Sequence, residues 1–443
     1  MSYESIASNV LEQVKKAGAT GDLLIDTQQS LSLKCNQGKL DEHKVSSSQI
    51  FGLRVIDNQK VGIAYSEADD ADSIDSMVQQ ALQNARYSKV DEHTAIVDDV
   101  ATLRSDEAWL CPEDTTSIDE KIEFALQLED ALLQKEYVKN CPYNGVTDQL
   151  SQQYVYSTSG LSAFQKSRGA VAYAYALAEN GEKNAMCGTG QLYRDFADLD
   201  KTAIAEEAYA ETVAMLDGEP IASGHYDVIF DCETQNDLFG VFTAIFSGKW
   251  AQDGLNPWRE KVGKLVAEST LTLFDNPLNK NGFGYSIFDA EGVATASTPL
   301  LENGVLKTLI HNSATANFYQ QSSTGHATRG AKSNLGVGIH QMEIAAGETS
   351  SSDLYAGDLV VITDLSGLHA GANPISGDFS FGASGYLYRN GEKQQAIRGI
   401  TVAGNFYTML DAIETIGDTQ YWNWQKGSLM PSIRFSQLTI SGS

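Results

Sequence analysis

Two Asn-Gly pairs constrain the second half of this chain more than any other feature. "ENG" at 302–304 and "RNG" at 389–391 each sit between alternating apolar runs. Asn and Gly accept the positive φ angles of a type I′ turn, whose twist matches two antiparallel strands. Both stretches are expected to be hairpins. Around them the chain is rich in glycine and built of short apolar runs. Helical patterns are few: 238–246, about 312–321 and about 405–413. Residues 221–443 are therefore expected to form a mainly antiparallel β domain, curved or barrel-like.

The first 220 residues have a different texture. Ile6, Val10, Leu11, Val14 and Ala17 fall on one helical stripe that Gly18 stops. "DLLIDT" and "SLSLKCN" follow as strands, and "IFGLRVID" and "KVGIAYS" form a hairpin across "DNQ". Helices are expected over 73–86, from the capping-box pattern Ser117-x-x-Glu120 to Lys135, and over 200–216. Strands are expected at 154–158 and 170–179. "DGEPIASG" then breaks the pattern, which sets a boundary near residue 220. The fold class is α+β, with an N-terminal mixed α/β domain over 1–220 and a β-rich domain over 221–443.

Charge and composition remove several functions. The formal net charge of −27 repels phosphate backbones, and the densest basic group is only "REKVGK" at 259–264. Direct nucleic-acid binding is not expected. No apolar run is long enough for a membrane span, and "MSYESIASNVLEQVKKAGATG" is an amphipathic helix with acidic residues rather than a leader. The expected compartment is the cytoplasm. Five scattered cysteines without CxxC indicate reduced thiols.

The obvious chemistries also fail. No two of the seven histidines stand one helical turn apart, so no HExxH helix exists, and no metal site is expected in this chain. His225 and Asp227 share a strand face and are read as a surface polar pair. There is no G-x-S-x-G; "GASG" at 382–385 is read as a bulge or tight strand bend. "GHATRGAKS" (325–333) misses the phosphate-loop pattern by one residue, because Ala331 separates Gly330 from Lys332. His326, Arg329 and Lys332 still gather donors in one glycine-rich segment, either a plain exposed loop or a contact for a peptide carboxylate. Trp422 and Trp424 in "YWNWQKG" either line a cleft or an interface, or bury one face of a strand.

"GDFSFGASGYLYRNGE" (377–392) followed by "ITVAGNFYTMLDAIETIGDT" (400–419) resembles the C-terminal signature of the TldD/PmbA family. "STPLLENGVLKTLIHN" (297–312), "STGHA" (323–327), the closing "QLTISG" and the N-terminal "GKLDEHKVSSSQIFGLRVIDNQKVGIAYS" with "ALQNARYS" are similar to the same family in the same order. The resemblance implies an α/β domain followed by a β-rich domain, and two kinds of subunit. The TldD type carries HExxxH on a helix directly after a strand, with a later Cys completing a zinc site for peptide cleavage. The PmbA (TldE) type lacks those ligands and pairs with a TldD-type partner. In that register Gly240, Val241 and Ile245 stand where the helix ligands would be, and Lys426 where the Cys would be. The resemblance is therefore to the PmbA type.

The expected function is a noncatalytic subunit of a metallopeptidase assembly that helps bind extended peptide. It would carry no cofactor of its own, with zinc in a TldD-type partner, and a homodimer is the other assembly left open. His326, Arg329, Lys332, Asp378 and Ser384 are the candidate peptide-cleft contacts. Two alternatives remain. One is a metal-independent hydrolase using Ser380, Ser384, Asp378 and His326 or His369. The other is an interaction protein modulating DNA gyrase, a role with which the resemblance is also associated.

Overall fold

The structure, a computed structural model, describes residues 2–98 and 101–443. The N-terminal part opens with α1 (Tyr3–Lys16), β1 (Thr20–Asn36), β2 (Lys39–Asp57), β3 (Lys60–Ser66) and α2 (Ala71–Tyr87). It continues with β4 (Thr102–Ser105), α3 (Ile118–Leu133), β5 (Val138–Ser157), β6 (Ser162–Asn180), β7 (Lys183–Tyr193) and α4 (Lys201–Leu216). The seven strands make one curled, largely antiparallel half-barrel in the order β3-β2-β1-β5-β6-β4, with β7 also bonded to β6.

Local chemistry accounts for the ends of these elements. Gly18 ends α1 at φ 79°. The Ser117 hydroxyl accepts from Glu120 N while the Glu120 carboxylate accepts from Ser117 N, so α3 starts on the expected capping box. Asn58 and Gln59 take positive φ between β2 and β3. Alternation along β6 buries Ala170, Ala172, Ala174 and Ala176, and these small side chains leave room for Phe124 and Leu128 of α3 and Ile204 of α4.

Two expectations are corrected. "DLLIDT" and "SLSLKCN" are parts of the single strand β1, and the strands expected at 154–158 and 170–179 are segments of the longer β5 and β6. Gln28 and Gln29, left between the two expected strands, continue the ladder on both sides, opposite Ser48 and Ser47 and opposite Ser151 and Leu150.

The second sheet begins at β8 (Gly224–Phe230). Strands Leu359–Ser366, Asp378–Arg389, Glu392–Asn405 and Ser428–Ser441 follow in hydrogen-bonded order, and the last returns to pair with β8. The circuit therefore closes, as the barrel-like expectation required. It is mainly antiparallel, with parallel pairings of β8 to Leu359–Ser366 and of Met342–Ile344 to the last strand. Asn303–Gly304 and Asn390–Gly391 all have positive φ, as I′ turns need.

A buried ion cluster joins the two parts. Arg54 of β2 meets Asp22 of β1 and lies 2.8 Å from Glu291, while Arg329 Nη2 lies 2.6 Å from Asp22 Oδ1. Two guanidinium groups balance two carboxylates. Burial would raise the Asp22 pKa, but the charges of Arg329 and Arg54 hold it below the usual range. Arg329, expected in a peptide cleft, is instead a domain-to-domain tie.

Candidate functional site: an acidic crevice between the domains

The helix after β8 is longer than its apolar periodicity suggested. It is α5 (Cys232–Phe242), capped by Asp231, whose side chain accepts from Thr234 N at 2.8 Å. A tighter turn, Thr243–Phe246, continues it. The expectation of a helix starting at 238 is therefore corrected: the helix starts at Cys232, and its first two turns carry Cys232, Glu233 and Asp237. The later half is packing. Phe239, Phe242 and Phe246 are buried, and Phe242 stacks on Phe406 with ring centroids 4.3 Å apart.

These first turns form one wall of a crevice of about 670 Å3. β7 and α4 supply the opposite wall, with Cys187–Gly190, Glu207 and Glu211; the far strands add Asp364, Ser384, Tyr386 and Trp422, and the turn after the last of these adds Trp424. A hollow of about 650 Å3 over β3 and α2, with Lys332 on its rim, gathers no comparable set of titratable groups. Ser384 reaches the crevice because the register slips between Ala383 and Gly385, the bulge expected for "GASG". A Cβ on Gly385 would stand 1.9 Å from Val361 O, so only glycine fits there. Gly190 has a related role: a Cβ would meet the Trp424 ring at 3.0 Å. Both tryptophans line the crevice, which resolves the alternatives left open for them.

The crevice is electrostatically one-sided. Glu233 Oε1 accepts from Trp424 N at 2.6 Å, yet burial, with Asp231 and Asp237 adding, pushes Glu233 up to about 7. Burial also raises Asp231, Asp237 and Asp364. The Cys232 thiol is pushed up to about 12 by burial and by Glu233 and Asp231, so it stays protonated and is no nucleophile at neutral pH. Arg398 also borders the crevice, but its guanidinium is engaged with Asn184 O at 2.5 Å. Such a lining favours a cationic group on whatever enters.

Of the five expected cleft contacts, only Ser384 lines this crevice. Lys332 pairs with Glu67 at 2.7 Å and lies over the Tyr65 ring. Asp378 is exposed and accepts from Ser376 Oγ and Asn405 Nδ2. His326 is buried against Asp275, with Nε2 at 2.8 Å from Oδ2. Its other ring nitrogen faces Thr324, and His369 is exposed, so the residues named for a metal-independent hydrolase are not assembled around a base. The positions named in the family register also differ in environment. Gly240 is exposed, Val241 half-buried and Ile245 buried, while Lys426 Nζ lies 3.7 Å over the Tyr193 ring.

Sequence reasoning missed one cluster. His340 Nδ1 lies 3.0 Å from the same Asp275 Oδ2 that His326 approaches. The three residues come from separate segments of the second domain, so no spacing in the sequence announced them.

Comparison with known proteins agrees with the resemblance. Three family models match: PmbA/TldA metallopeptidase domain 1 over residues 21–85, the central domain over 111–216 and the C-terminal domain over 223–442. A metalloprotease PmbA homolog of Haemophilus influenzae is 25% identical, with 98% of this chain and 95% of the relative aligned. Metalloprotease PmbA of Escherichia coli O157:H7 is also 25% identical, over 94% of this chain and 91% of the relative. A crystal structure from Thermotoga maritima, described as a modulator of a DNA gyrase, superposes with a TM-score of 0.89 at 26% identity, covering 99% of this chain and 100% of that one. TldE of Thermococcus kodakarensis superposes with a TM-score of 0.88 at 22% identity, over 99% and 100% of the two chains, a likeness of fold. Matched in all three of its segments, this chain belongs to the PmbA/TldD metallopeptidase family.

Proposed function

We propose that this chain is a PmbA/TldE-type subunit of a TldD/PmbA metallopeptidase complex, and that it holds extended peptide for a zinc-bearing TldD-type partner. The observation that carries the reading is the turn from β8 into α5. It keeps the strand-to-helix architecture, yet Gly240, Val241 and Ile245 offer no donor atom and Lys426 offers an ammonium. That set does not fit zinc, which takes imidazole, thiolate or carboxylate ligands. Hydrolysis at a metal held there is therefore not assigned to this chain.

What the chain's own residues do is bind and orient. β7 is an edge strand bonded along its length to β6, and Thr212 of α4 takes up the N–H and C=O of Cys187. The backbone beyond it, Gly188–Gly190, borders the crevice and suits addition of an extended peptide strand. Trp422 and Trp424 supply apolar faces for its side chains, while Asp231, Glu233 and Asp237 attract its cationic groups.

The test is cleavage of an unfolded peptide by the purified chain alone, by a TldD-type subunit alone and by the mixture. The reading expects cleavage only where the TldD-type subunit is present, with this chain lowering KM. Turnover by this chain alone would overturn it. A second reading has its own support, the description of the similar Thermotoga structure as a gyrase modulator. The net charge of −27 suits a basic protein face. Salt-sensitive binding to gyrase without any peptidase subunit would favour it. Among the described residues no helix is long and apolar enough to cross a membrane.

A further inference from the structure

Asp275 ends the short strand Leu273–Asp275, and two histidines converge on one of its oxygens. His326 Nε2 is 2.8 Å and His340 Nδ1 3.0 Å from Oδ2. The three donor atoms lie within 4.8 Å of one another. The side chains are closed off: His326 is 1% exposed, Asp275 0% and His340 12%.

The surroundings fix the direction of each group. Asp275 Oδ1 accepts from Gln341 N at 2.6 Å, and both carboxylate oxygens lie 3.1 Å from His340 N. The carboxylate is thereby held with Oδ2 toward the rings. His326 Nδ1 lies 2.7 Å from the Thr324 carbonyl. A carbonyl only accepts, so Nδ1 carries the hydrogen, and in the neutral ring Nε2 is left with a lone pair. That lone pair faces a carboxylate oxygen inside a closed pocket, where Nε2 makes no well-formed hydrogen bond. Two acceptors brought together in low dielectric need a positive species between them. An imidazole that donates its far N–H to a carbonyl and turns its other nitrogen inward is the arrangement of a metal-bound histidine.

Distances agree with an ion. Metal–ligand bonds of about 2.0–2.1 Å set neighbouring donors about 2.9 Å apart at a right angle and about 3.4 Å apart at a tetrahedral angle. The two short edges, 2.8 and 3.0 Å, match the right-angle spacing and need to open by about 0.4–0.6 Å to reach the tetrahedral one. We propose that Asp275 Oδ2, His326 Nε2 and His340 Nδ1 bind one first-row divalent transition-metal ion, such as zinc, as a clamp among three segments of the second domain. Water completes the coordination on the His340 side, where the pocket opens. The site is separate from the turn into α5 and does not depend on the peptide-binding reading.

The full-length chain, stripped with chelator, is titrated with Zn2+ and with Co2+. The expected result is one zinc per chain by elemental analysis, a zinc-dependent rise in melting temperature, and visible d–d absorption with Co2+. His326→Gln and His340→Gln each weaken binding by about tenfold or more, while His369→Gln, at an exposed position, leaves it unchanged. His340 sits nearest solvent, so its variant keeps the test decisive if the buried ones do not fold. Sub-stoichiometric zinc, or equal zinc binding by wild type and His340→Gln, would overturn the proposal. No peptide enters this experiment, so its failure is distinct from failure of the peptide-binding reading.

Discussion

Arg329 Nη2 lies 2.6 Å from Asp22 Oδ1, joining the glycine-rich loop of the second domain to the first strand of the chain. Arg54 and Glu291 complete a set of four buried charges that sums to zero. Replacing Arg329 with Met removes one cation and leaves Asp22 and Glu291 with Arg54 alone. Breaking a buried pair from one side costs about 3–5 kcal/mol. Arg329→Met is therefore expected to lower the stability measured by urea unfolding by that amount. A loss under about 1 kcal/mol would show that water or a neighbour compensates the charge.

Two glycines should respond in opposite directions to the same substitution. Gly240 lies in α5 with nothing within 4 Å of where a Cβ would point, whereas a Cβ on Gly385 would stand 1.9 Å from Val361 O. Gly240→Ala removes backbone freedom from the unfolded chain and should stabilise by about 0.5–1 kcal/mol. Gly385→Ala must push apart two paired strands and should cost about 2–3 kcal/mol. Thermal melts of the two variants beside wild type decide both.

Local chemistry was legible and distant pairing was not. Asn303–Gly304, Asn390–Gly391 and Ser117–Glu120 act within a few residues, and each stands in the structure as its residues implied. The start of α5 was hidden because Asp231 is both the end of a strand pattern and a helix cap, while the apolar stripe that marks a helix begins only at Leu238. The crevice and the Asp275 cluster were hidden for a different reason. Their members come from helices, strands and loops far apart in the sequence that only the folded chain brings together, and nothing near Arg329 in sequence points to Asp22. Residues chosen from one loop, His326, Arg329 and Lys332, consequently went to three different places.

The crevice should titrate near neutrality. Glu233 is pushed from 4.5 up to about 7 by burial and its acidic neighbours. A raised carboxyl holds its proton better in the folded chain. Its contribution to stability is complete below about pH 4.5 and is lost as pH rises to about 7, by at most ~3 kcal/mol. Glu233→Gln should flatten that fall in urea midpoints measured across this window, and Gln can still accept from Trp424 N. An unchanged slope in the variant would place the titration elsewhere in the crevice.

Charge should also select the peptide. Asp231, Glu233, Asp237 and Asp364 face the crevice, and the Arg398 guanidinium at its border is engaged with Asn184 O. A peptide bearing Lys or Arg exchanges water for these carboxylates, whereas one bearing Asp or Glu adds like charge to a partly closed space. Repulsion of that kind costs several kcal/mol when close and less when water screens it, so a preference of about tenfold for the basic peptide is expected. Deprotonation of Glu233 adds negative charge as pH rises through about 7, so the basic peptide should bind more tightly at higher pH and the acidic one should not. Raising salt should narrow the difference. Fluorescence anisotropy with two peptides of identical apolar residues and opposite charge measures all three effects. Equal affinities at low salt would mean that Trp422, Trp424 and the β7 edge hold the peptide and that the carboxylates face only water.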